Sequence, residues 1–174
     1  MTKKYMSVED MKAFEYIKTS REYIDYLDLH IRKVHLAYNV ILAMLDGIPA
    51  INSVVDWGVI AEDTINHDVS KFSMEEFTQY RDYFYPLANE TQKEMAANKK
   101  LMDIAWDHHK LNNRHHHESI QDENHVISMV IDWTAMGYVF GGTAQDWYEQ
   151  NKEDIGMTQK HRDFLHIIFK ELGK

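Results

Sequence analysis

Histidine is the residue type whose number and spacing stand out in this sequence. The chain has 11 histidines, against 2 prolines and 7 glycines. Nine of them lie between positions 30 and 125: His30, His35, His67, His108, His109, His115, His116, His117 and His125. Because imidazole is a common ligand of borderline metal ions and a common acid–base group near neutral pH, the middle of the chain is where a site with nitrogen ligands is expected.

Two candidate residues interrupt helical patterns that are otherwise apolar. His30 lies three residues after Leu27 and four before Val34, a spacing that turns it towards the buried face of a helix. Asp132 lies inside the apolar run 126–133, where a carboxylate is costly to bury unless it is paired or bound to a cation. Taken alone, His30 is also compatible with a hydrogen-bonded core histidine, and Asp132 with a buried salt bridge.

A third candidate is the dipeptide His67-Asp68, which lies at the predicted junction between two helices. Adjacent side chains on a continuous helix point about 100° apart. At the end of a helix, both side chains can reach one ion. Lys71 follows one turn later, and Asp63, four residues before His67, is a candidate for orienting the imidazole ring.

In chain order these residues read His30, His67-Asp68 and Asp132, and this arrangement resembles the HD-domain superfamily of metal-dependent phosphohydrolases, whose defining ligands are H…HD…D. The local sequence also resembles a bacterial and phage family of unknown function that carries HDxSKF and DWxAM motifs. These motifs correspond here to residues 67–72 and 132–136, and the resemblance covers roughly residues 30–142. Arg114 and His117 depart from the loop of that family, which has Pro and Trp at these places.

The resemblance implies that His30, His67, Asp68 and Asp132 hold a divalent ion. Two imidazoles and two carboxylates suit Mn, Fe, Co, Ni or Zn. Such an ion supplies a hydroxide that attacks phosphorus, because it lowers the pKa of bound water. Asp68 and Lys71 are the expected catalytic residues, with the Lys71 ammonium on the phosphate oxygens of the substrate.

A second metal site is left open by the sequence. Binuclear members of the superfamily insert further histidines between HD and the final Asp. His108 or His109, with His115 or His116, occupy that interval here. Helical periodicity does not choose between His108 and His109, and an exposed His-rich loop is the alternative.

Composition limits the partners and the compartment. The formal net charge is −9, which argues against binding a nucleic-acid polymer. Cysteine is absent, which excludes disulfides, thiol catalysis and cysteine-ligated metal.

No run of about 18 apolar residues predicts a membrane helix, and no apolar stretch near the N-terminus is typical of a signal peptide. We therefore expect a cytoplasmic protein that acts on a small phosphorylated molecule, without a membrane partner. Nothing in the sequence indicates an oligomer.

The predicted fold is an all-α, HD-like helical bundle in which residues 1–174 form one domain. Scarce proline and glycine favour helix throughout. The capping and apolar patterns predict helices over 7–20, 21–45, 53–68, 73–84, 89–109 and 122–140, and two closing helices that Thr143 and Thr158 cap. The predicted N-caps of the earlier helices include Ser7, Ser53, Ser73 and Asp122. Glu75 and Glu76 are expected as capping and surface charges, and His125 is expected on the surface of its helix.

A phosphohydrolase acting on a nucleotide is the function that these features favour. A di-iron oxygenase of the same fold is the alternative enzyme. A module that binds a nucleotide or a partner without catalysis is the third possibility, although such a protein has no physical reason to keep a buried Asp132.

Overall fold

The computed structural model describes residues 6–174, and these residues form α-helices and two short 3₁₀ helices without any β-strand. The predicted all-α class is therefore confirmed. The helices are α1 (Val8–Leu45), α2 (Pro49–Asn52), α3 (Trp57–Ile65), α4 (Phe77–Phe84), α5 (Gln92–Asn112), α6 (Glu123–Phe140), α7 (Ala144–Asn151) and α8 (Gln159–Leu172). The 3₁₀ helices are Val69–Phe72 and His117–Ser119.

The residues group into two units. The first unit contains the segment that ends at Leu29 together with Lys71–His108, and the second contains His30–Ser70 and His109–Lys174. The expectation of one domain over residues 1–174 stays a prediction.

Helix α6 organises the second unit. It packs against α3, α7 and α8, and most of its side chains are buried. Asp122 begins the helix by accepting hydrogen bonds from the N–H groups of Asn124 and His125, as predicted for an N-cap. Gly141 follows the last turn with a φ of 86°. Because α6 is buried and fixed at both ends, Asp132 is carried by a rigid element.

The first unit has a smaller core of Tyr23, Leu27, Tyr80 and Ala105. Arg81 is buried within this unit, and its guanidinium donates a hydrogen bond of 3.0 Å to Ser20 Oγ.

Several predicted helix ends are confirmed. Ser7 and Asp10 cap α1 reciprocally through two hydrogen bonds of 3.0 Å, the arrangement of a capping box. Thr143 and Thr158 accept hydrogen bonds from N–H groups in the first turns of α7 and α8.

The predicted break between residues 20 and 21 is wrong, because α1 is one helix of 38 residues. The hydroxyl of Thr19 donates to the carbonyl of Tyr16, and the helix continues through this local contact. Helix α5 also extends three residues beyond the predicted His109, to Asn112.

Two predicted N-caps are also wrong. Asp56, rather than Ser53, caps α3, and the Ser53 hydroxyl donates to the carbonyl of Ala50 instead. Ser73 does not begin α4, because that helix starts at Phe77 and Glu76 is fully buried. The Glu76 carboxylate accepts from the imidazole of His108 at 2.7 Å, so it is a buried partner rather than the expected capping or surface charge.

None of the helices described in residues 6–174 is both long and apolar enough to cross a membrane.

Candidate metal centre

His30 is the point at which the predicted residues meet. It lies on the buried face of α1 and is 4% exposed. Its Nε2 atom lies 3.1 Å from Nε2 of His67, 3.2 Å from Oδ2 of Asp68 and 3.3 Å from Oδ1 of Asp132. The structure thus brings together the four residues that the sequence singled out from three separate segments.

The turn after α3 explains how His67 and Asp68 point to the same place. Asp68 has a φ of 59° and is the only non-glycine residue with a positive φ within residues 6–174. Aspartate tolerates this left-handed conformation better than most residues, yet the conformation still costs free energy, and such strain clusters at functional sites. The turn leaves Asp68 fully buried, with its carboxylate beside the ring of His67.

The spacing of these atoms fits one shared metal ion. Two ligands that each lie about 2.0–2.1 Å from an ion, at coordination angles of about 90–109°, are separated by about 2.9–3.4 Å. The distances from His30 Nε2 to its three neighbours fall in this range, as does the 3.4 Å between His67 Nε2 and Asp132 Oδ1. His67 Nε2 lies farther from Asp68, 3.7 Å from its Oδ1. His30, His67 and Asp68 are buried and Asp132 is partly buried, and the four are positioned to hold a metal ion.

A second group of histidines faces the other oxygen of Asp68. Oδ1 lies 3.2 Å from Nε2 of His109 and 3.4 Å from Nε2 of His115. His109, His115 and His116 offer ligand atoms within 4.8 Å of one another, and the first two are buried. Asp68 therefore contacts both groups, with Oδ2 near His30 and Oδ1 near His67, His109 and His115.

The structure distinguishes between the two adjacent histidines at the end of α5. His109 contributes to the second group, whereas the His108 imidazole hydrogen-bonds to Glu76 within the first unit. The prediction that His108 is a metal ligand therefore has no support in its contact with Glu76.

Two residues that the sequence did not single out orient His109. Ser70 Oγ lies 3.1 Å from Nδ1 of His109, and the Asn113 amide donates to the same Ser70 oxygen at 2.8 Å. The Asn113 amide nitrogen also lies 3.0 Å from Nδ1 of His109. These contacts hold the Nδ1 side of the ring, which leaves Nε2 facing Asp68. Asn113 lies four residues after His109 on the chain, and this spacing is the signal that could have found it.

The other predicted residues lie elsewhere. Lys71 lies in the 3₁₀ helix after Asp68, with its ammonium 5.6 Å from the centre of the Tyr80 ring. His125, expected on the surface of α6, is buried and accepts a hydrogen bond from the Gln121 N–H. Asp63 contacts Ser128 and Arg114 rather than His67.

The charges around His30, His67, Asp68 and Asp132 favour a protonated His30 when no metal is bound. Burial lowers the pKa of His30, but hydrogen bonds to Asp132 and Asp68 outweigh it and raise this pKa to about 9. Burial raises the pKa of Asp132, but hydrogen bonds from His30 and His67 hold it well below its usual value. Burial and the neighbouring His67 hold the pKa of His115 well below its usual value.

Metal uptake is expected to release a proton near pH 7.5. His30 binds a metal only when neutral, and its pKa of about 9 keeps it charged at that pH. The proton must therefore leave, and apparent metal affinity should rise with pH until about 9. Calorimetric titration of chelator-treated protein, in buffers of different ionisation enthalpy, measures the number of protons released. A binding heat that does not depend on the buffer would contradict this expectation.

A protein-family model matches residues 19–172 of the chain, and it is described as a family of unknown function, DUF5662. The matched range contains every residue of the two ligand groups. No curated protein and no solved structure matches the chain.

Proposed function

Since this chain belongs to DUF5662, a family without an assigned function, its activity must be inferred from the site, and we propose that it is a metal-dependent phosphohydrolase of the HD type. The order His30, His67-Asp68, Asp132 along an all-α chain supports this proposal, because it is the ligand order that defines the HD superfamily. The substrate is a small phosphorylated molecule, and the resemblance favours a nucleotide.

The observation that carries the proposal is the position of Asp68 between the two groups. Its Oδ2 atom faces His30, and its Oδ1 atom faces His109 and His115. Pairs of ions held close together are used by many enzymes that cleave phosphate esters. Bound divalent ions lower the pKa of water and polarise phosphoryl oxygens.

The residues divide into two ligand sets that share Asp68. His30, His67 and Asp132 would complete the first set, and His109, His115 and His116 would form the second. His115 also offers a ligand atom within 4.8 Å of those of His67 and Asp132, so it borders both sets. Nitrogen and carboxylate ligands together suit Mn, Fe, Co, Ni or Zn. The two aspartates offset only part of the charge of two divalent ions, so the centre stays positive and attracts a phosphate dianion.

Within this reaction, the chain's own residues have separate tasks. Asp68 and His30 would bind the metal, while Ser70 contacts Nδ1 of His109 and orients its ring. Lys71 places a positive charge on the phosphate oxygens. It stands three residues after Asp68, where phosphodiesterases of the HD superfamily that this sequence resembles often have lysine. This role for Lys71 rests on the resemblance.

A di-iron oxygenase is the second candidate, because the same observation favours it. A carboxylate between two groups of histidines also suits a pair of iron ions. Oxygen consumption by the iron-loaded protein, measured without any phosphorylated substrate, separates this activity from hydrolysis.

The test is a phosphate-release screen over nucleotides and other small phosphoesters. The protein is stripped with a chelator and reloaded in turn with Mn²⁺, Fe²⁺, Co²⁺, Ni²⁺ and Zn²⁺. We expect turnover with at least one metal and none in the stripped protein. Hydrolysis that survives in the stripped protein, or that no metal supports, would overturn the proposal.

A further inference from the structure

The second unit contains a small polar pocket that borders the candidate metal centre. Among the residues that line it are Asp63, Asn66, His67, Arg114, His115 and Ser128. Its volume is about 100 Å³. Because a buried water occupies roughly 10–15 Å³ measured in this way, the pocket has room for several waters beside polar partners.

Two histidines of the candidate metal centre form part of the pocket wall. His67 and His115 line it, whereas Asp68 and Asp132 do not. The Nε2 atoms of both rings face the carboxylates of the centre at 3.4 Å, His67 towards Asp132 and His115 towards Asp68. A molecule in the pocket therefore meets the other side of these rings, away from the reacting position.

Both rings have a second nitrogen, Nδ1, whose proton needs a partner. Within residues 6–174 the structure shows no hydrogen bond between Nδ1 of His67 or His115 and any protein group, because their polar contacts are made by Nε2. Both residues are more than nine-tenths buried, and their rings stack with centroids 3.9 Å apart. Metal-ligating histidines almost always donate this proton to a carboxylate, a carbonyl or a water.

Asp63 is the acidic residue among those that line the pocket. Its Oδ2 atom accepts a hydrogen bond of 3.4 Å from the Ser128 hydroxyl, and its Oδ1 atom lies 3.6 Å from a guanidinium nitrogen of Arg114. These two contacts fix a carboxylate at the wall of the pocket. They also explain why Asp63 does not reach the imidazole of His67 directly, as the sequence alone suggested.

We propose that ordered water in this pocket connects the Asp63 carboxylate to the Nδ1 protons of His67 and His115. Asp63 is thus a positioning residue that keeps these protons on Nδ1 and the Nε2 lone pairs directed at the metal ions. The inference rests on the metal centre of the proposed function, and it does not depend on which reaction the centre performs. It extends the metal-binding machinery to a residue outside both ligand groups.

The test compares metal binding by the parent protein and by Asp63→Ala, Asp63→Asn and Glu62→Gln. Glu62 is the matched control, because it is the neighbouring acid on α3, is exposed and does not line the pocket. Co²⁺ affinity is measured by competition with a chelator, and the visible absorption bands of bound Co²⁺ report the geometry of its ligands. Thermal unfolding of the metal-free proteins measures any purely structural effect.

We expect Asp63→Ala to weaken Co²⁺ binding by about 10- to 100-fold, the range for lost partners of ligating histidines, and to shift the absorption bands. Asp63→Asn should change the Co²⁺ affinity and the absorption bands in the same direction but less strongly, since an amide still forms hydrogen bonds with water. Glu62→Gln should match the parent. Affinity and spectra unchanged in both Asp63 variants, or a loss of thermal stability without any change at bound Co²⁺, would overturn the inference. Failure of the parent itself to bind Co²⁺ would overturn the proposed function as well, so the two failures are distinguishable.

Discussion

Replacement of Asp68 by alanine is expected to remove metal from both groups and to lower phosphoester hydrolysis by more than about 10³-fold, beyond the range for a single lost electrostatic stabiliser. Asp68 is the residue with one carboxylate oxygen near His30 and the other near His109. Its loss therefore damages both ligand sets, whereas His30→Ala or His109→Ala damages one. Metal content per chain and kcat/KM, measured side by side, check this result.

The controls for this prediction separate metal loss from misfolding. Asp68→Asn keeps the shape of the side chain and also tolerates the left-handed backbone that this position requires, with its φ of 59°. It should therefore keep the helical content of the parent while losing metal and activity. Asp154→Ala removes an exposed carboxylate from the same unit and should change neither metal content nor activity. An Asp68→Ala protein that retains two ions and parental turnover would contradict the shared role of this carboxylate.

Replacement of Lys71 by alanine is expected to leave the metal content intact and to reduce turnover by about 10²–10³-fold. An ammonium group has no lone pair with which to bind a metal, so its contribution is positive charge on the phosphate. The residue lies in the 3₁₀ helix Val69–Phe72, which directly follows Asp68. Metal analysis and steady-state kinetics on the best substrate of the screen measure the two effects separately.

Lys71→Arg and Lys100→Ala complete this experiment. The arginine variant should recover part of the activity, because a planar guanidinium directs its donors differently from a compact ammonium. Lys100 is an exposed lysine on α5, and its removal should have no effect. Parental kinetics in Lys71→Ala would leave this lysine without a role in catalysis, and metal loss would give it a structural role in the turn.

The sequence predicted helix type and several helix ends well, because those features depend on neighbouring residues. Asp122, Thr143 and Thr158 each lie directly before the helix that they cap, and all three are confirmed. Ser53 and Ser73 have the same local signals but do not cap, because Asp56 competes at one site and Glu76 is buried with His108 at the other. Tertiary contacts of this kind have no counterpart in a short window of sequence.

At the candidate site, the sequence predicted which segments carry ligands but did not distinguish between adjacent residues. His30 could be oriented by its place on an apolar stripe, and the structure gives it that inward position. His108 and His109 have equally good spacings in α5, and only the contacts with Glu76 and with Ser70 distinguish them. The shared position of Asp68 depends on a left-handed backbone turn, which residue types alone do not specify.

The most direct test of the central claim is the rate of phosphate release as metal is added stepwise to chelator-stripped protein. A phosphohydrolase with two ligand sets sharing Asp68 should be inactive without metal, gain activity as ions are added, and reach its maximum at two ions per chain. The same titration of Asp68→Asn should stay at background throughout. A rate that is independent of added metal, or an Asp68→Asn protein that titrates like the parent, would contradict this account.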